Sequence, residues 1–286
     1  GELVAACKAA EELGFESVWI GEHVAIPVRA DWDQGVEEQK HLVGPNPAMK
    51  RPFTHETDFF DPLVALGVIA GATSKIRLAT GIYMLPLREP ILVGRSIASL
   101  DVLSNGRLDL GIGIGWVSHE FKFANVDWET RGRRMDEMLR CLRVLFEVNE
   151  PSFSGEFFNF EPIGYNPKPI QKPLPIIVGG DGARAVRRAG KYGNGWLGGP
   201  QMFGPIREEL KKNDRANEPF VMTTYAGAPP ADSLGDFIKL GADRIVVSPW
   251  PGGMLQQTEA IRAAGGPIAI LERYAKSAGL GKRTHV

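Results

Sequence analysis

The sequence predicts an α/β protein whose parallel strands form a (β/α)8 TIM barrel, on three observations. Seven strand-like segments alternate with helix-like ones, the pattern of a parallel sheet covered by helices. The chain has 286 residues, close to the ~250 that one such barrel uses. The segment "RLDLGIGIGW" (107–116) places Gly111, Gly113 and Gly115 on one face of a strand and Leu110, Ile112 and Ile114 on the other. Residues 1–286 are read as a single domain. Its leading helix has no strand before it, so the barrel's first strand is expected to be missing upstream of Gly1. An open doubly wound sheet is the rival; it needs no missing strand but requires a dinucleotide fingerprint at its first strand–helix turn.

The elements follow in order. "ELVAACKAAEEL" has Leu3, Cys7, Ala10 and Leu13 on one helical stripe, with Gly14 as its stop. "SVWIGEH" (17–23) reads as a short strand. Residues 24–60 contain Pro27, Pro45, Pro47 and Pro52 with no clear period, and are expected to form an active-site lid. Asp61-Pro62 opens a helix as cap and first-turn proline. "KIRLATGIYMLP" (75–86) is strand-like; Pro90 opens a helix that closes at Asn105-Gly106. The glycine strand comes next, and "VSHEFKFANVDWE" is expected to be loop. A long helix covers about 130–148 and a surface hairpin 151–162. Four further strands are predicted at 173–180, 195–200, 220–227 and 243–250. Helices are expected at 182–192, 203–216 and 231–240, and one final helix at about 254–278.

Composition narrows the function. With 43% hydrophobic and 23% charged residues and a formal net charge of −1, the chain lacks the basic footprint of a nucleic-acid binder. The longest apolar run, "PLVALGVIAGA", is far shorter than the ~20 residues of a membrane span. No signal peptide is recognisable, and Cys7 and Cys141 stand in no metal or redox spacing. A cytoplasmic protein with buried thiols and no metal is expected.

The dinucleotide reading meets two glycine clusters. "GIGIGW" lacks a following helix in this reading. Gly180, Gly182 and Ala185 match a G-x-G-x-x-A spacing at a strand–helix turn, but no acidic residue follows about 20 positions on. What remains is an anion site: Gly179 and Gly180 let the backbone come close, and a helix beginning near Ala183 offers N–H groups and its positive pole. A glycine-rich turn without a ligand is the other reading. "GWLGGP", with Gly198 and Gly199, ends the next strand, where barrels often complete a phosphate site. The bare face of the glycine strand allows two readings as well: room for something flat near the mouth, or a tightly approaching neighbour.

Candidate chemistry sits at the strand ends. Glu22-His23 ends the first strand present, and His23 is the best acid/base candidate because imidazole titrates near neutrality, although a buried structural histidine is the commoner case. Trp116, His119 and Glu120 follow the glycine strand. Arg88 and Arg95 could anchor an anion or pair with surface carboxylates. No lysine ends a strand on the catalytic face, and no serine-hydrolase, zinc-peptidase or phosphate-loop motif occurs. So sparse a set leaves the hard chemistry to a cofactor.

The segments "ELGFESVWIGEH", "SKIRLATGIYMLPLREP", "SIASLDVLSNGRLDLGIGIGW", "NPKPIQKPLPIIVGG" and "RRAGKYGNGWL", in this order, resemble the luciferase-like monooxygenase superfamily, and within it the coenzyme F420-dependent oxidoreductases. The resemblance spans about 2–200 and is diffuse beyond. It implies a (β/α)8 barrel, often homodimeric, that holds F420 or a flavin at its C-terminal mouth. It implies a cis peptide at Gly81–Ile82, with Thr80, Gly81 and Ile82 behind the ring. It puts His23 beside the ring, the glycine strand with Gly113 and Gly115 along a roomy ring pocket that Trp116 follows, and Gly179 and Gly180 at the phosphate, to which the adjacent loop adds Gly198 and Gly199. His23 and Glu120 are the catalytic candidates. Trp116 stands where sugar-phosphate dehydrogenases of the family carry Glu, and Glu22 replaces the commoner Asp.

The leading expectation is hydride transfer between F420 and a small apolar or aromatic substrate, with a separate reductase if the cofactor is recycled. The alternatives are a two-component monooxygenase using reduced FMN, a flavin- or F420-binding protein without turnover, and a cofactor-free barrel handling phosphorylated metabolites.

Overall fold

A computed structural model describes residues 1–28, 55–227, 229–250 and 257–280. Helix α1 (Glu2–Glu12) leads into β1 (Ser17–Ile20). The 24–60 stretch read as a lid lies mostly outside the described residues. Helix α2 (Pro62–Ala72) begins as the sequence predicts: Asp61 Oδ1 accepts the N–H groups of Leu63 and Val64, and Pro62 needs no partner. Then come β2 (Arg77–Thr80), β3 (Tyr83–Met84), α3 (Pro90–Leu103) and β4 (Leu108–Gly113). The next elements are α4 (Ser118–Phe123), α5 (Arg131–Glu147) and the antiparallel pair β5 (Phe153–Ser154) and β6 (Asn159–Phe160). The chain continues through β7 (Ile176–Gly179), α6 (Ala183–Tyr192), β8 (Gly195–Leu197), α7 (Phe203–Lys212) and β9 (Val221–Gly227). Helix α8 (Leu234–Lys239), β10 (Arg244–Val247), α9 (Gln257–Ala263) and α10 (Gly266–Ala278) complete it.

Three expectations are corrected. The 75–86 segment is broken between β2 and β3. The loop expected after the glycine strand contains helix α4. The final helix is two helices, broken after Ala263 by Gly265, which caps α10 with a φ of 89° outside the helical range.

Among the described residues the main sheet runs β1-β2-β4-β7-β8-β9-β10, with β3 also on β4, and every pairing is parallel. This is a nearly closed barrel, not a doubly wound sheet. Leu108, Leu110 and Ile112 turn outward into a core shared with the helices, and all three are fully buried. At the interior's lower end, Asp109 takes Arg77 on one side and Arg244 on the other (3.1 Å). Arg244 also reaches Glu16 at 2.6 Å, which ties β10 to the start of β1, the two ends of the sheet path.

The glycine strand is tightly approached, so the roomy reading is corrected. Ala79 pairs with Asp109 (an offset of 30), whereas Tyr83 pairs with Ile112 (an offset of 29), so the first strand of the pair carries one extra residue. This bulge, which contains the cis Gly81–Ile82 bond, turns the Thr80 carbonyl onto Gly111. A Cβ at Gly111 would lie 1.8 Å from that oxygen. At Gly113 it would lie 2.5 Å from Ile82 Cδ1, and at Gly179, on the neighbouring strand, 2.7 Å from Ile82 Cγ2. The missing side chains make room for the bulge and for Ile82. Gly115 has φ +77° and abuts Met84 and Phe121 where the chain reverses into α4.

Gly111→Ala is expected to destabilise the protein by about 3 kcal/mol or more, through overpacking against backbone that cannot rotate away. Gly204→Ala, in α7 with nothing within 4 Å, is the control and is expected to be neutral or stabilising by about 1 kcal/mol. Urea denaturation of both variants checks the contrast; equal midpoints would mean that the Thr80 carbonyl can withdraw.

Candidate active site

The mouth of the barrel joins two residues far apart in sequence. His23 follows β1, and Glu120 lies on α4, the helix the sequence did not reveal. His23 Nδ1 is 3.2 Å from Glu120 Oε2, and Glu120 is completely buried. Glu120 Oε1 accepts the backbone N–H groups of Val24 at 2.6 Å and Ala25 at 3.4 Å. Glu120 thus accepts from two backbone donors, and with the carboxylate also accepting from His23 the imidazole proton would sit on Nδ1. Two aromatic rings meet the imidazole edge-on: Phe59 with centroids 5.0 Å apart and Trp116 at 5.6 Å. His119, the adjacent candidate, lies against Phe123 instead, its ring centroid 6.4 Å from that ring.

Of the carboxylates near Arg88, the more exposed Asp61 stands off at 3.9 Å. Arg88 forms a two-pronged pair with Glu22, which is buried. Glu22 Oε2 also accepts the Met84 N–H at 2.8 Å, and the guanidinium lies 3.9 Å from the Tyr83 ring centroid. Burial pushes the Glu22 carboxyl above its ordinary value, and the opposing pull of Arg88 and the Met84 N–H does not cancel it. Burial likewise pushes the Tyr83 hydroxyl up to about 12. Arg95 lies over the Tyr165 ring at 4.9 Å. Cys7 and Cys141 are buried and free, with thiols raised by burial to about 11 and about 12, so neither is a reactive thiolate.

The ring-pocket candidates divide. Thr80 is fully buried and its hydroxyl donates to the Gly111 carbonyl at 2.6 Å, so its side chain is committed to the sheet. Ile82 fills the space over Gly113 and Gly179, and Gly81 sits on the Trp19 ring. Ile82 and Trp116 thus present apolar side chains at the mouth, while Gly111, Gly113 and Gly115 act by letting protein pack there.

The phosphate candidates lie together at the ends of β7 and β8. Gly180 has φ +117°, is exposed, and has only the Ala185 Cβ near the position of a Cβ, so a ligand can come close to it, while its own N–H donates to the Leu197 carbonyl at 3.2 Å. Helix α6 begins three residues later, with first-turn N–H groups that no helix satisfies internally. The Gly199 N–H donates to Asp181 Oδ1 at 2.7 Å, and a Cβ at Gly198 would meet the same oxygen at 2.6 Å. Sequence reasoning passed over Asp181, which engages one of the donors assigned to an anion. The 180–184 turn still fits a phosphate-bearing tail, and the apolar mouth fits a flat conjugated ring. Among the described residues, no group of three or more His, Cys, Asp or Glu side chains could hold a metal, and no helix is long and apolar enough to cross a membrane.

Comparison with known proteins places this geometry. A family model described as luciferase-like monooxygenase matches residues 1–229. An uncharacterised protein of Mycobacterium tuberculosis is 32% identical over 198 residues, covering 69% of this chain and 67% of that one. An F420-dependent glucose-6-phosphate dehydrogenase of Kineococcus radiotolerans is 30% identical over 200 residues (69% of this chain, 52% of that one). The oxygenase component of a flavin-dependent trigonelline monooxygenase of Acinetobacter baylyi is 29% identical over 178 residues (62% and 41%). The chain thus spans about half the length of the two relatives whose names state an activity. In structure, the F420-dependent tetrahydromethanopterin reductase of Methanopyrus kandleri matches with a TM-score of 0.67 at 16% identity, over 95% of this chain and 93% of that one. A nearly closed parallel barrel with a bulged strand beside a glycine strand, matched by the family model over most of its length, belongs to the luciferase-like monooxygenase family.

Proposed function

We propose that the protein is an oxidoreductase that moves a hydride between coenzyme F420 and a small apolar or aromatic substrate, with His23 moving the accompanying proton. The observation that carries this reading is the His23–Glu120 pair, set between the Phe59 and Trp116 rings. Bound F420 would supply the hydride-exchanging ring carbon, and the protein would supply position and a proton route. With Nδ1 held by Glu120, Nε2 would be the nitrogen that exchanges the proton. Trp116 and Phe59 make apolar walls, which favour a flat apolar substrate over a sugar phosphate. Ile82 would back the ring, and the Gly179–Gly180 turn with the start of α6 would receive the phosphate. Buried free thiols agree with a reducing, cytoplasmic setting.

A second reading is favoured by the trigonelline monooxygenase similarity: a monooxygenase component using reduced FMN from a separate reductase. Side-by-side titration with oxidised F420 and FMN separates the two. Micromolar or tighter F420 binding (about −8 kcal/mol), with FMN much weaker, is expected; preference for FMN supports the monooxygenase, and binding of neither overturns both.

In the loaded enzyme, His23→Ala is expected to lower turnover about 100-fold and Glu120→Gln about 10-fold, with cofactor affinity nearly unchanged. Stopped-flow absorbance measures both. Unchanged turnover in His23→Ala would remove His23 as the acid/base group, whereas no turnover in the loaded wild type would favour a cofactor-binding protein without catalysis.

A homodimer is proposed from α2, whose sequence "PLVALGVIAGA" is apolar on every side. Leu63, Leu66 and Ile69 enter the core, while Val64 (68% exposed) and Val68 (58%) form an outward stripe with Gly67 and Gly71. Sedimentation velocity is expected to give a dimer for the wild type and a monomer for Val64→Lys/Val68→Glu; identical sedimentation would remove this face as the interface.

A further inference from the structure

We propose that Glu22 and Arg88 are positioning residues for His23, a two-pronged ion pair with its carboxylate buried that orients the imidazole without touching it. The inference rests on the acid/base role proposed for His23. The backbone on both sides of His23 is anchored, and by different partners. On one side Glu22 is held through both carboxylate oxygens: Oε2 accepts Met84 N–H at 2.8 Å and Arg88 Nη1 at 3.1 Å, and Oε1 pairs with Nη2. On the other side the N–H groups of Val24 and Ala25 point to Glu120 Oε1. His23 is the single residue between these anchors, and its ring is gripped at a third point by Glu120 Oε2.

Arg88 is itself held from several directions. Nη1 donates to the Met84 carbonyl at 2.9 Å, and the guanidinium lies over Tyr83. Asp61 Oδ2 is 3.9 Å from Nη2, while the other Asp61 oxygen caps α2. Arg134 on α5 reaches the Pro86 carbonyl at 2.9 Å and the Arg88 carbonyl at 3.3 Å. The pair thereby refers His23 to β3, α2 and α5 together. A surface pair of the same length would leave the strand end to drift, and lysine at 88 could not reproduce the two-pronged geometry. Displacing an acid/base group by a fraction of an ångström to one ångström is costly for turnover and much less so for binding.

The test uses Arg88→Lys and Glu22→Gln in the full chain, with His23→Ala as reference. Each single variant is expected to lower kcat by about 10- to 100-fold with F420 affinity within about threefold of wild type. Added to His23→Ala, Arg88→Lys is expected to leave the residual turnover unchanged, because its effect passes through the missing ring. An independent readout needs no cofactor: the His23 ring resonance in a carbon–proton NMR spectrum, assigned by its loss in His23→Ala, should shift in both Arg88→Lys and Glu22→Gln. A multiplicative loss in the His23→Ala background, or a His23 resonance unmoved in both single variants, would overturn the proposal. Should the wild type bind neither F420 nor FMN, the functional reading fails while the NMR comparison still decides whether the pair positions His23. Should Arg88→Lys fail to fold, the isosteric Glu22→Gln carries the same measurements.

Discussion

The contact on which the mouth of this barrel depends is the close approach of the Thr80 carbonyl to Gly111. Two neighbouring parallel strands differ by one residue in register, and the surplus is absorbed in a bulge that would place the carbonyl inside any side chain at position 111. With glycine there, the chain can turn Ile82 across the barrel over Gly113 and Gly179 and resume pairing at Tyr83. The resumed strand carries the Met84 N–H that meets Glu22, and Glu22 precedes His23. One steric requirement in the sheet is thus transmitted through a backbone bond to the candidate acid/base group. Bulges beside active sites commonly re-aim side chains in this way.

The interior is divided into a charged lower end and an apolar upper end. Below, Asp109 is shared by Arg77 and Arg244, with Glu16 completing the network across the two ends of the sheet path. Above it lie the Trp19 ring and then Ile82. Buried ion pairs often contribute little net stability, because desolvation offsets their attraction, but breaking one leaves an uncompensated charge. Their value here is in register: Asp109 can satisfy both arginines only if β2, β4 and β10 keep their relative heights.

At the mouth the balance is different. Glu120 is buried yet surrounded by donors, and the imidazole beside it meets aromatic edges. Among the described residues, the imidazole and this carboxylate are the titratable pair that meets there. The names of two relatives, one flavin-dependent and one F420-dependent, speak of enzymes in which a cofactor carries the electrons.

How much of this was legible in the sequence depended on how local each cause was. The alternation of strands and helices, the Asp61-Pro62 helix start, the Pro90 start and the surface hairpin follow from patterns within a few residues, and they are present as read. The glycine spacing announced a special strand, and His23 stood out by its place at a strand end. Helix α4 was missed because six residues carry too short a period to distinguish it from loop. The break between β2 and β3 was missed because residues 75–86 are β-favouring throughout, and only the mismatch with β4 creates the bulge. The sequence by itself determined which residue types could serve: a histidine, a buried-capable glutamate, and glycines where backbone must come close. Tertiary structure alone decided that His23 meets Glu120 across 97 positions and that Glu22 meets Arg88 across 66. The reason is physical: contacts between strand ends are set by sheet register and barrel curvature, which no local run of residues encodes.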